Sequence, residues 1–149
     1  MKFTICLMMT ITLLSCSNAK KVAANAEQPV AAAEEPNVLI NDIWVAETIM
    51  GLRFEPNGRN VPQMEFQVGE NRVAGNDGCN SFSGSTKTLD NKNLVFGPMM
   101  STKMACEDMS TPKSFQEAMR STASYKIDKL RLYLYDGAGK EVMILKKVD

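Results

Sequence analysis

At 149 residues the chain has room for one domain and an appendage, and Lys plus Arg equal Asp plus Glu at 17 each. That balance persists from Val38 to Asp149, with 14 basic and 14 acidic residues, and excludes recognition of nucleic acid or an anionic surface by bulk charge. The chain contains no histidine, so the commonest general base and the commonest metal ligand are both missing.

Lys2 followed by the apolar run Phe3 to Leu14 and by Ser15-Cys16 reads as a secretory signal, too short for a membrane span of roughly 20 apolar residues. Leu13-Leu14-Ser15-Cys16 resembles the lipobox of bacterial lipoproteins. That resemblance implies a signal peptide over residues 1–15 and a mature N-terminus at a lipidated Cys16, its acyl chains, palmitate among them, serving as the membrane anchor. Residues 16–37 then form a lipidated N-terminus and flexible tether: Ser17 to Pro36 is Ala-rich, carries Pro29 and Pro36, and has no apolar face. Twenty such residues span about 25 Å on average and at most roughly 70 Å. Ser17 and Asn18 follow Cys16 in place of an aspartate, which favours the outer membrane, facing the periplasm.

The folded domain is expected over residues 38–149. Ile40 to Met50, with Trp44 as its core anchor, reads as a first strand ending at Gly51. Met64, Phe66 and Val68 alternate with Glu65 and Gln67 at a strand period, and Gly69 to Arg72 turns that strand into Val73-Ala-Gly75. Asn80 to Thr86 forms the next strand, Asp90 to Asn93 a turn, and Leu94 to Phe96 another strand. Gly97-Pro98 is expected to open an irregular crossing segment bearing Met99, Met100, Met104 and Met109, unbranched side chains that fill gaps or line adaptable surfaces. Ser110-Thr-Pro112 is expected to cap and start a helix with Phe115, Ala118, Met119 and Thr122 on one face. From Tyr125 the period returns to two, with a hairpin at Asp136 to Gly139 and a last strand apolar on both faces. The sum is an α+β, mainly β domain: a curved antiparallel sheet or small open barrel of six to eight strands with one packed helix.

The stretch from Val73 to Cys106 organises this reading. Gly75 and Gly78 are expected at positive φ, Gly84 to permit close backbone approach, and Asn80 to bond its own turn. The pattern Trp44-x-x-Glu47-x-Ile49-x-Gly51, Gly75-x-x-Gly78-Cys79-Asn80-x-Phe82-x-Gly84, Thr102-x-Met104-Ala105-Cys106 and Tyr125-x-Ile127-x-x-Leu130-x-Leu132 resembles the META domain, the family of bacterial heat-shock lipoproteins of the HslJ type. The resemblance implies a lipocalin-like or open-barrel domain linked to heat shock and stress tolerance, and brings no established catalytic residues.

Cys79 and Cys106 can form a disulfide, stay as two buried thiols or supply half a metal site. Export to an oxidising envelope favours the disulfide, and no further thiolates or imidazoles are at hand for a metal. Without a base beside Ser81 or Ser83, or a paired carboxylate, no enzyme is expected, nor any cofactor. Two functions remain. One is an envelope-maintenance or stress-tolerance module that binds other envelope proteins through Met99, Met100, Met104, Met109 and Phe115. The other is a binder of a small apolar molecule or lipid within the open barrel. The chain is expected to be a monomer.

Overall fold

The structure, a computed structural model, describes residues 37–55 and 58–148. The expected signal peptide, Cys16 and all but the end of the tether lie outside the described residues.

Among the described residues nine strands form one antiparallel sheet: β1 (Ile43–Ile49), β2 (Leu52–Arg53), β3 (Gln63–Gln67), β4 (Arg72–Asn76), β5 (Ser81–Leu89), β6 (Leu94–Ser101), β7 (Thr122–Asp128), β8 (Arg131–Asp136) and β9 (Glu141–Lys147). The order across the sheet is β6-β5-β4-β3-β1-β9-β8-β7, with β2 paired to β1 off this path. Among the described residues there is one α-helix, α1 (Ser110–Ser121), and it connects β6 to β7, the two strands at opposite edges of the path. The expected class is what is found, a mainly β domain whose curled sheet makes a half-barrel of eight strands with one helix.

The alternation read from the sequence places the core. Met64 and Phe66 are fully buried while Gln63, Glu65 and Gln67 face solvent to varying degrees. In β1, Trp44 and Ala46 point inward, and so does Ile49, three positions on. The pairing with β9 shifts register between Ala46 and Thr48, and such a bulge resets which face the following residues meet. β9 lies between β1 and β8, and Val142, Met143 and Leu145 are all buried. Trp44, Met64, Phe66, Leu94, Phe115, Leu132, Leu134, Met143 and Leu145 belong to one continuous core.

Three expectations are corrected. The first strand does not begin at Ile40: Val38–Ile40 is a single 3₁₀ turn capped by the Asn37 side chain. The buried Ile40 carbonyl accepts the indole N–H of Trp44 at 2.9 Å, so the turn supplies the partner that a buried indole requires. Gly97-Pro98 does not end β6, which continues to Ser101. Proline is tolerated there because β6 is an edge strand, and its pairing with β5 is already irregular, shifting register between Gly84 and Thr86 and again between Thr86 and Thr88. Gly78 has φ +95° as expected, but Gly75 does not lie at positive φ. A Cβ at Gly75 would collide with the Gln63 carbonyl and the Phe82 ring, and one at Gly84 with Met99 and Pro98. Gly75 therefore serves close approach, the role expected only of Gly84.

The two edges of the path meet at one end. Asn93 bridges to Ser124, the Tyr125 N–H donates to the Lys92 carbonyl at 2.8 Å, and the Tyr125 hydroxyl donates to the Asp90 carbonyl at 2.7 Å. Burial raises the Tyr125 pKa above its ordinary value. Beyond this point β6 and β7 are not paired, and α1 is the segment that connects them.

Three carboxyls titrate below their ordinary range, and all in one sense. Asp42 is lowered chiefly by its hydrogen bond to Lys147, Asp90 by the Asn93 side chain and the backbone N–H groups of its turn, and Asp108 by Ser110. A lowered folded-state pKa contributes stability that is present above the unfolded value, 3.8 for Asp42, and lost as pH falls through the folded value. The melting temperature should therefore drop as the solution is acidified below that point. Asp42→Asn should be less stable than the parent at neutral pH and show a shallower acid dependence, measured by circular dichroism melts across the acid range.

Candidate functional site

The open part of the seam holds a cleft of about 320 Å³ between α1 and the β5–β6 hairpin. Its walls are apolar: Phe82 from β5, Phe96 and Met99 from β6, and Phe115 and Met119 from α1. Phe82 and Phe115 meet with ring centroids 5.4 Å apart and planes tilted by 45°, while Phe96 contacts the core ring of Phe66 at 6.1 Å. These tilted contacts fix the rings as a firm wall. Asp77, Gln116 and Arg120 add polar groups. Gln116 and Arg120 are one helical turn apart, so α1 offers both on one stripe.

The helix sits there because its start is tied to two neighbouring loops. Asp108 accepts from the Ser110 N–H at 2.7 Å and from its hydroxyl at 2.9 Å. The capping acceptor is thus Asp108, two residues before the expected hydroxyl cap, and Ser110 acts as a donor. Pro112 is buried in the first turn, where a missing N–H costs nothing. Gln116 donates to Asp77 Oδ2 at 2.9 Å, linking the helix to the β4–β5 turn.

Asp77 is only 1% exposed, and its other oxygen accepts the N–H groups of Cys79 at 3.0 Å and Asn80 at 2.6 Å. Asp77, not Asn80, therefore bonds its own turn. The buried Asn80 side chain instead reaches across to the crossing segment, accepting the Met104 N–H at 2.8 Å. The Cys79–Cys106 disulfide, with Cα atoms 6.1 Å apart, fastens the same segment to the same turn. Closing a loop of 27 residues stabilises by roughly 3–4 kcal/mol in the chain-entropy model. The Gly78, Cys79, Asn80 and Cys106 signature is thus a clamp that holds the crossing segment and the start of α1 against the barrel.

The sequence singled out Met99, Met100, Met104, Met109 and Phe115 as one contact surface, and the structure separates them. Met99 packs against the core and lines the cleft. Met100, its neighbour on β6, is 78% exposed, and Met104 is exposed on the crossing segment. Met109 is half-buried at the start of α1, and Phe115 is fully buried. Met99 and Phe115 alone come together in the cleft. Sequence reasoning missed Phe96, Met119, Arg120 and Asp77 as its lining. Met119 and Phe115 shared a helical face, and Asn76-Asp77-Gly78 carried a turn signal, but no pattern showed that β6 would run on past Pro98 to face the helix. Among the described residues, no three His, Cys, Asp or Glu side chains stand close enough together to hold a metal ion.

The architecture defines the class: a small antiparallel half-barrel whose unpaired seam is spanned by one helix and clamped by a disulfide. The model of the META domain matches residues 37–149, and the chain belongs to that family. A structure solved by NMR is similar in fold, with a TM-score of 0.57 and 22% identity over 72% of this chain and 89% of that one. No curated protein matches the chain significantly in sequence.

Two outcomes test this site. Asp77→Ala leaves two buried N–H groups and the Gln116 amide without their acceptor, at roughly 1–3 kcal/mol for each unsatisfied group; denaturant titration should show a loss of several kcal/mol. Asp77→Asn, which keeps one carbonyl acceptor for the turn, should lose much less. Met99→Gln should cost about 1–3 kcal/mol by burying an amide among apolar walls, whereas Met100→Gln should leave the melting temperature unchanged.

Proposed function

We propose that this is a non-catalytic binding domain of the bacterial cell envelope, lipid-anchored through Cys16 at the outer membrane. It acts in envelope maintenance or stress tolerance by binding another envelope protein at the seam cleft. The observation that carries this reading is the position of the one apolar concavity described above. It lies at the surface, between α1 and β6, and is bounded by parts that the disulfide and Asp77 hold in place. A preformed apolar cleft accepts a large apolar side chain from a partner without the cost of ordering its own walls. Met99 and Met119 in its walls are flexible thioethers, which suit a surface that must fit more than one shape.

The alternative, a lipid or small apolar molecule inside the barrel, has less room. The interior is occupied by Trp44, Met64, Phe66, Leu132, Leu134, Met143 and Leu145, each buried to within 1% of completely. A small ligand would have to share the seam cleft.

The anchor and the contact are tested separately. Labelled palmitate should enter the wild type and be lost in Cys16→Ser; equal labelling of both would remove the anchor from the proposal. A photo-activated cross-linking residue at Ser101 or Arg120, exposed positions in the cleft lining, in cells carrying the full chain, should capture a discrete envelope protein, and the adduct should weaken when Met99→Gln is added. Absence of any adduct, together with an apolar small molecule that co-purifies with the parent and is lost with Met99→Gln, would establish the alternative instead.

A further inference from the structure

One end of the half-barrel carries most of the exposed Leu, Ile and Val side chains, and it is the end at which Asn37, the first described residue, leads into the domain. Val38 is 75% exposed and Leu39 63% exposed in the 3₁₀ turn directly after Asn37. Ile43, Leu130 and Val148 are exposed as well, and backbone hydrogen bonds hold them side by side. The Val148 N–H donates to the Ile43 carbonyl at 3.1 Å, and the Lys147 N–H, next in the chain, donates to the Leu130 carbonyl at 2.8 Å. The turn's third residue, Ile40, is buried and receives the Trp44 indole. The turn is therefore fixed to the core by one side chain and presents the other two outward. Of the six exposed Leu, Ile and Val side chains among the described residues, five stand here and only Leu52 stands elsewhere, and solvation alone gives no reason for them to gather at one end.

We propose that this end is a bilayer-contact surface, with Val38, Leu39, Ile43, Leu130 and Val148 resting in the interfacial region of the membrane that holds the lipid on Cys16. The inference rests on the reading that Cys16 is lipidated, and the chain outside the structure supplies the rest of the argument. The tether runs from Cys16 to Asn37, immediately before Val38. On the sequence reading of residues 16–37 as a flexible tether, a linker of that length would average about 25 Å and keep the attached surface at an effective concentration on the order of millimolar. Contact too weak to bind a free domain then suffices to seat a tethered one.

Charge selects the kind of surface. The turns at this end carry Glu70, Asp90 and Asp128 against Lys92 and Lys129, and Asp42 is paired with Lys147 at 2.7 Å. There is no positive excess to recognise anionic headgroups, so the contact is apolar and independent of headgroup charge.

The test uses the chain from Cys16 onward, coupled through that thiol to a maleimide-bearing lipid in phosphatidylcholine vesicles with brominated acyl chains. With Cys79 and Cys106 joined, Cys16 is the one free thiol in that chain. Leu39→Trp at this end is compared with Leu52→Trp, an exposed position next to the β1–β2 turn at the opposite end, and with the parent, whose Trp44 is buried. Bromine should quench Leu39→Trp several-fold more than Leu52→Trp, unchanged by added salt or by phosphatidylglycerol. Equal quenching at the two positions overturns the proposal, as does an emission shift in Leu39→Trp that follows protein density on the vesicle without bromine quenching, the mark of a second copy covering the patch. Should Leu39→Trp fail to fold, Val38→Trp takes its place under the same criteria. Palmitate labelling reports on lipidation by itself, so failure of that reading and failure of this one are distinguishable.

Discussion

Tyr125 is where the curled sheet is held to its shape. An antiparallel sheet of eight strands with right-handed twist coils on itself, but nothing in the ladder alone obliges its first and last strands to meet. Here the Tyr125 N–H and hydroxyl donate to the Lys92 and Asp90 carbonyls, and Asn93 bridges to Ser124. The edges are joined at one end and left apart at the other. The helix fills that gap because its chain must travel from one edge to the other, and the cleft exists because the helix fills it incompletely. Fold, seam and site thus follow from one partial closure.

The clamp at the β4–β5 turn makes the open half as definite as the closed half. Gly78 at positive φ lets the chain reverse where the disulfide and the side chains of Asp77 and Asn80 can all face the crossing segment and α1. These are covalent and polar bonds between parts brought together late in the chain, and they do not depend on apolar burial. They leave the cleft walls rigid while the residues between Ser101 and Asp108 stay largely at the surface. A site made this way is preorganised, and its ordering cost is met by folding before any partner arrives.

The sequence showed the strands whose side chains alternate and the helix whose apolar residues recur at its own period. Met64 and Phe66, Leu132 and Leu134, and Phe115 with Met119 were legible for that reason. It was silent where backbone contacts set the outcome. β6 runs through Gly97-Pro98 because it lies at an edge, a property of sheet order that no local pattern encodes. Gly75 resembled a turn glycine, although its constraint comes from Gln63 and Phe82 on neighbouring strands. The methionines read as one surface because they were close in sequence, yet successive residues on a strand face opposite sides: Met99 went to the cleft and Met100 to solvent. Asp77 passed unremarked because a lone carboxyl carries no motif, and only its three donors reveal what it does.

The path of β6 has a consequence for crowding. If the proposed lipid anchor holds, it would confine molecules to a plane, where one exposed sheet edge meets another far more often than in solution, and a straight, regular edge would invite strands of neighbouring copies to extend it. The free edge of β6 is neither straight nor regular: its ladder with β5 slips twice within five residues of β5, from Gly84 to Thr88, and Pro98 contributes no N–H. A neighbour attempting to continue the sheet would lose register before it had formed a stable ladder, so packing at high surface density should not lead to fibrils through this edge.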